Sequence, residues 1–237
     1  MTETVFRDDA YQRECSARVV RVEPDAIVLD RTVFYPLGGG QPGDTGVLRR
    51  ADGSELRISD TRSDRETGDI RHLCDATPSW QGWQPGDEVI ACIDWEQRHR
   101  YMRMHTCLHL LSAVIVAPVT GGNIGDGYGR LDFDLPESPA IDAVEQQLNA
   151  LINEDHPVRF EWITDAELDA RPELVKTMSV QPPRGVGRIR LVNVDGIDLQ
   201  PCGGTHVART AEIGPVRVAK IETKGRQNRR VRLELTG

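Results

Sequence analysis

Residues 97–116 read QRHRYMRMHTCLHLLSAVIV, and the fold of the chain turns on them. Twenty residues pass without Pro or Gly, and apolar side chains recur at 101, 104, 108, 111 and 115, the 3.6-residue spacing of an amphipathic helix that Pro118 ends. On the N-terminal side the period is different. Residues 15–95 consist of short alternating or β-branched runs, with candidate strands at 17–22, 26–30, 45–50, 55–60, 70–73 and 88–95 and turns at Glu23-Pro24-Asp25 and Asp52-Gly53. Six strands at this spacing predict a small β-barrel. The change of period places a domain boundary near residue 96, with a β-barrel-like domain over 1–96 and a second domain over 97–237. Between the second and third candidate strands, residues 34–44 read FYPLGGGQPGD, too rich in glycine for a regular element and too aromatic at their start for a plain linker.

Beyond the long helix both periods occur. Strands are expected at 128–135, 158–163 and 188–194, and a hairpin at 215–222 and 229–235 turning at Gly225. Ser138 as N-cap and Pro139 at the first helical position predict a helix with Ile141, Val144, Leu148, Leu151 and Ile152 on one face. Thr164 and Glu167 have the spacing of a capping box that opens a short helix ending near Val175. The second domain is therefore α+β.

The chain has 237 residues, of which 38% are hydrophobic, enough for a packed core. No apolar run approaches the roughly 18–20 residues of a membrane-spanning helix. Charged residues break up the first thirty positions, so no secretory signal is expected there. The five cysteines are an odd number and contain no CxxC pair, which fits a reducing compartment, the cytosol, better than a disulfide framework. The formal charge of -8 is unevenly spread: residues 1–97 hold 11 Lys+Arg against 19 Asp+Glu, while residues 98–237 are balanced. The second part is locally basic around Lys224, Arg226, Arg229, Arg230 and Arg232, around Arg184, Arg188 and Arg190, and around Arg98, Arg100 and Arg103. Such density leaves room for nucleic acid despite the acidic total.

His105 and His109 lie four residues apart on the long helix, so both imidazoles project from one face about a turn apart. Cys202-Gly203-Gly204-Thr205-His206 supplies a thiol and a third imidazole on a short loop whose glycines permit tight turning. Together the two pairs form a nitrogen and sulfur ligand set suited to Zn2+. Four protein ligands are typical of structural zinc and three plus water of catalytic zinc, so the count leaves the role open. No GxSxG elbow is present, and Cys202 as an acyl-forming nucleophile would find a base in its own loop only in His206, so a ligand is its better role. Asp198 either orients a ligand histidine or caps a turn.

The two pairs, His105-x-x-x-His109 and Cys202-Gly-Gly-Thr-His206-Val207, resemble the editing domain of alanyl-tRNA synthetase and its freestanding AlaX-type trans-editing relatives. The likeness continues in Phe34-Tyr35, Gly39-Gly40-Gln41 and Asp44-x-Gly46, and in Glu212-Ile213-Gly214 with Lys220 and Gly225. It implies the medium-length architecture: a small β-barrel domain followed by an α/β two-layer editing domain of the threonyl/alanyl-tRNA synthetase editing type. It also implies a zinc-dependent hydrolase that removes serine, or glycine, from mischarged tRNA(Ala). On this resemblance Cys202, Thr32 and Gln41 are the expected catalytic residues. Thr32 and Gln41 would read the serine hydroxyl, Gly39 and Gly40 would approach the terminal adenosine, and Lys224, Arg226, Arg229 and Arg230, with the Arg98, Arg100 and Arg103 group, would meet phosphates. The rival readings are an RNA-binding module with a structural zinc and a metallohydrolase acting on small esters.

Overall fold

Alternation drives the first hundred residues into strands. The computed structural model describes residues 1–64, 66–74, 82–178 and 187–237, and the chain divides into two units, Met1–His99 and Arg100–Gly237. The strands of the first unit are β1 (Glu3–Thr4), β2 (Glu14–Val22), β3 (Ala26–Leu29), β4 (Arg31–Thr32), β5 (Gly46–Arg49), β6 (Glu55–Ile58), β7 (Asp60–Ser63), β8 (Ile70–Leu73) and β9 (Glu88–Ile93). In β2 the inward residues Cys15, Ala17 and Val19 alternate with exposed ones and join Ile27, Leu29, Phe34, Leu48, Leu56, Ile58 and Ala91 in one core. Seven strands form an antiparallel sheet in the order β6-β5-β9-β2-β3-β8-β7, and β1 pairs with β4 in parallel.

The closed six-stranded barrel expected from the sequence is not found. The single strand anticipated at 55–60 breaks at Ser59, whose N–H donates to Leu73 O at 2.8 Å. Its first half pairs with β5 and its continuation with β8. The two edges of the sheet therefore meet at one residue, with no ladder between β6 and β7.

His72 on β8 is fully buried in this unit. Phe34 N–H donates to Thr32 Oγ1 at 3.0 Å, so the hydroxyl proton of Thr32 is directed at His72 Nε2, 2.7 Å away, while His72 Nδ1–H donates to Ile27 O at 2.9 Å. Burial pushes this imidazole down to about 4, against the opposing bond to Ile27. Above its unfolded value of about 6.5 the ring is neutral in both states and its contribution is fully present. Between about 6.5 and 4 the unfolded chain binds a proton that the folded unit refuses, so stability falls with pH by about 1.4 kcal/mol per unit. Urea unfolding at pH 7, 6, 5 and 4 should show this slope, and His72→Gln should flatten it by about one proton. An identical slope in the variant refutes the assignment.

In the second unit α1 (Trp95–Val114), which starts in the first, is followed by β10 (Val119–Ile124), β11 (Tyr128–Asp134), α2 (Ile141–Asn153), β12 (Val158–Ile163), α3 (Asp165–Asp169), β13 (Ile189–Val194), β14 (Asp198–Pro201), β15 (Val216–Gly225) and β16 (Asn228–Leu235). Two antiparallel sheets result, β10-β11-β16-β15 and β12-β13-β14. Asn149 of α2 exchanges two hydrogen bonds with the backbone of Val216, at 2.8 and 3.1 Å, and Glu145 accepts from Val218 N at 2.8 Å, which fastens α2 to β15. The Thr164 and Glu167 capping box forms. By contrast α2 starts at Ile141 with Ala140 as N-cap, so Ser138 and Pro139 lie outside it.

The long helix departs from its expected amphipathic character. From Tyr101 to Ser112 only Arg103 escapes burial, so the helix has no solvent face there. Four polar residues, His105, Thr106, His109 and Ser112, are carried inside with it. Buried polar side chains need partners, and the partners of these four define the site.

Candidate metal centre

The ligand atoms of His105, His109, Cys202 and His206 all lie within 4.8 Å of one another. Cys202 Sγ is 3.4 Å from His105 Nε2 and 3.3 Å from His206 Nε2. A tetrahedral site with Zn–S of about 2.3 Å and Zn–N of about 2.0–2.1 Å has S···N edges of roughly 3.5 Å. The two sulfur-to-imidazole edges, at 3.4 and 3.3 Å, therefore match such an ion, and the remaining donors lie close enough to join it.

Two of the three rings, those of His109 and His206, are oriented from behind. Asp198 accepts from His109 Nδ1–H at 2.9 Å, which turns His109 Nε2 towards the cluster. Thr106 Oγ1 donates to Met102 O at 3.0 Å, and so accepts from His206 Nδ1–H at 3.1 Å and from Val207 N–H at 3.2 Å. The loop is clamped by Arg190, whose guanidinium donates to Cys202 O at 2.9 Å and to Gly204 O, while Cys202 N–H donates to Arg190 O at 3.1 Å. Gly204 N–H donates to Cys202 Sγ at 3.4 Å.

The electrostatics favour an ionised sulfur. Burial opposes charge on Cys202, but the neighbouring His105 and His206 outweigh it and hold the thiol well below its usual range. Burial, with His105 beside it, pushes His206 well down, which suits a neutral imidazole donor. His109 is held up at about 9: burial lowers it, but the Asp198 hydrogen bond and Cys202 prevail. Asp198 lies at about 2, because His109 and Lys176 overcome the cost of its burial. Cys107, on the same helix, is a contrast, for burial alone pushes its thiol up to about 12 and leaves it an apolar core residue. Asp198→Asn should lower zinc affinity about 10- to 100-fold, read by competition with a chelator of known affinity; unchanged affinity would show that the carboxylate does not support the ligand.

A family model described as threonyl and alanyl tRNA synthetase second additional domain matches residues 189–232, and one for class II (A) tRNA synthetases matches residues 4–97. The alanyl-tRNA editing protein AlaX-M of Methanosarcina barkeri is 37% identical over 98% of both chains, and that of Saccharolobus solfataricus is 34% identical over 98% of both. The chain belongs to the AlaX-M family of alanyl-tRNA editing proteins. It is also 33% identical to the alanine–tRNA ligase of Sulfurisphaera tokodaii, over 93% of this chain and 25% of that protein.

The structure gathers the four ligand candidates of this AlaX-M chain and also shows the residues that hold them. Asp198 orients His109, which decides between the two roles expected for it. Thr106 and Arg190 were not anticipated as supports, since only the strand register and the helix packing reveal them. Thr32 and Gln41 are fully buried in the first unit. Gly38 and Gln41 exchange backbone bonds at 2.9 and 3.1 Å around Gly39 and Gly40, whose φ values of 57° and 84° suit the left-handed turn that glycine permits.

The basic clusters behave differently from expectation. Arg98 is fully buried against Asp44 and is not available to a phosphate. Arg100 pairs with Asp126, and Arg103 donates to Ile213 O at 2.8 Å and Gly237 O at 2.7 Å. Arg230 makes a two-pronged pair with Asp132, at 2.8 Å for both contacts, and Arg229 is buried and donates to the carbonyls of Pro136, Gly225 and Asn228. Arg226 is exposed at the turn between β15 and β16. Arg184 lies outside the described residues. Among the described residues no helix is long and apolar enough to cross a membrane.

Proposed function

We propose that this chain hydrolyses the ester that links serine, or glycine, to tRNA(Ala), with zinc bound by His105, His109, Cys202 and His206. The observation that carries the reading is the complete donor cluster in a chain related to named alanyl-tRNA editing proteins over nearly its full length. When bound, zinc supplies a Lewis acid that polarises an ester carbonyl and acidifies water. The protein's own contribution is to keep the Cys202 sulfur ionised and the imidazole lone pairs aimed inward, through Asp198, Thr106 and Arg190. The need is physical: a synthetase pocket shaped for alanine excludes glycine poorly, and a serine hydroxyl adds little bulk, so a second hydrolytic sieve is required.

On the family resemblance, Thr32 and Gln41 are the candidates to read the serine hydroxyl, although Thr32 already spends its own hydroxyl on His72 and Phe34; Gly39 and Gly40 approach the terminal adenosine, and Arg226, Arg229 and Arg230 meet phosphates. Arg226 supports that last assignment best, because Arg229 and Arg230 already have internal partners. The test is deacylation of seryl-, glycyl- and alanyl-tRNA(Ala) side by side. Rapid loss of the seryl ester with the alanyl ester spared is expected; equal rates on all three, or rates on free aminoacyl esters matching those on charged tRNA, would sink it.

One observation favours a second reading. Four protein donors fill a tetrahedral site, which is the habit of structural zinc. An RNA-binding module of that kind would hold zinc, bind tRNA and leave all three esters intact.

A further inference from the structure

The three-stranded sheet of the second unit places two exposed aromatic residues on the face that carries the metal ligand. Strand register pairs Trp162 with Arg190 and Phe160 with Val192, and Leu191 with Pro201, so alternation puts Phe160, Trp162, Arg190, Val192, Asp198 and Gln200 on one face, with Cys202 continuing it. The opposite face, with Ile163, Ile189, Leu191 and Leu199, is covered by Leu168 and Leu174. Phe160 is 38% exposed and Trp162 46% exposed, on an edge strand. Rings of this size are normally buried, and a pair of them left open two residues apart forms a platform.

Two features identify the occupant. The Arg190 guanidinium stacks on the Phe160 ring at 4.5 Å while it holds the Cys202 loop. Arg188, just before the start of β13, is exposed as well, so the aromatic pair sits beside cationic groups. Rings interleaved with arginine suit a nucleobase carrying phosphates. Trp162, Arg190 and Cys202 also form one row across the sheet, two strand spacings or about 10 Å from end to end. An aminoacylated nucleoside can bridge that length, with its ester at one end and its base at the other.

We propose that Phe160 and Trp162 form a stacking subsite for an unpaired base at the 3′ end of the RNA substrate. The subsite rests on the hydrolase reading above, whose ester it would position. Base–aromatic stacking is strong enough that removing one ring weakens binding about 5- to 150-fold. Trp162 is the residue to change, because Phe160 touches the arginine that clamps the metal loop.

The test is filter binding of the full chain to uncharged tRNA(Ala) ending in CCA and to the same RNA trimmed of its CCA. Wild type should bind the intact end more tightly. Trp162→Ala should lose that preference at unchanged zinc content and melting temperature, and Trp162→Phe should keep most of it. A CCA preference that survives in Trp162→Ala, or is absent from wild type, overturns the proposal. So does a wild-type dimer that the variant converts to monomers with tRNA binding unaltered, for the edge strand would then serve a second copy of the chain. A wild type that shows the Trp162-dependent preference yet leaves the seryl ester intact would instead sink the hydrolase and retain the subsite.

Discussion

Cys202→Ala is expected to lower zinc affinity beyond the roughly 10- to 100-fold that follows loss of an outer partner, and to abolish hydrolysis of seryl-tRNA(Ala). Cys202 is the one sulfur in the cluster, with its Sγ 3.4 Å from His105 Nε2 and 3.3 Å from His206 Nε2. It is also the donor whose charge the surrounding imidazoles favour, since they hold the thiol well below its usual range against the cost of burial. Removing it leaves three imidazoles. Three neutral imidazoles supply neither the negative charge nor the fourth donor that the thiolate gave. Zinc per chain after equilibration with a chelator, measured beside the deacylation rate, checks both halves of the expectation.

The variant also separates catalysis from architecture. Arg190 and Thr106 support the loop through the carbonyls of Cys202 and Gly204 and the N–H of Val207, none of which the substitution removes. The second unit should therefore stay folded without its metal and merely lose activity. Collapse of the fold on metal loss would favour the structural-zinc reading, and full zinc with full activity in Cys202→Ala would remove Cys202 from the centre altogether.

The sequence made the donors legible and their supports illegible, for a physical reason. A helical i, i+4 pair and a Cys-x-x-x-His loop are local spacings, visible in any one chain. Arg190 reaches the loop only because β13 lies beside β14 in one register, and Thr106 reaches His206 across 100 positions. The helix that decided the fold was read at the right place but with the wrong surroundings: its spaced apolar residues suggest one buried face, whereas His105, Thr106, His109 and Ser112 are buried too because each finds a partner. β10 escaped because its VTGGNI sequence carries two glycines in six residues, and β14 because DLQP is short and ends in proline. The strand expected at 55–60 is interrupted at Ser59, a break that no alternation pattern encodes.

Asp44→Ala should destabilise the first unit by about 3–5 kcal/mol, the cost of leaving a buried charge without its partner. Arg98, in the first turn of α1, has no exposed surface, and its guanidinium donates to Asp44 through Nε at 2.9 and 3.0 Å and through Nη2, to Val33 O at 2.7 Å and to Ala10 O at 3.1 Å. Asp44 in turn accepts from Tyr35 N–H, and its carbonyl accepts from Thr61 Oγ1 at 2.8 Å. The pair thereby ties the two ends of the glycine-rich segment, Val33 and Asp44, to the helix. Arg98→Met should be costly as well, because the carbonyls of Val33 and Ala10 lose their donor along with the carboxylate. Joining both changes should recover part of the loss, since no unpaired charge then remains, but not all of it while those carbonyls stay buried. Urea unfolding of the three variants, followed by a probe in the first unit, gives the coupling energy directly. If the two single losses simply add in the double variant, the ion pair is not what anchors the segment.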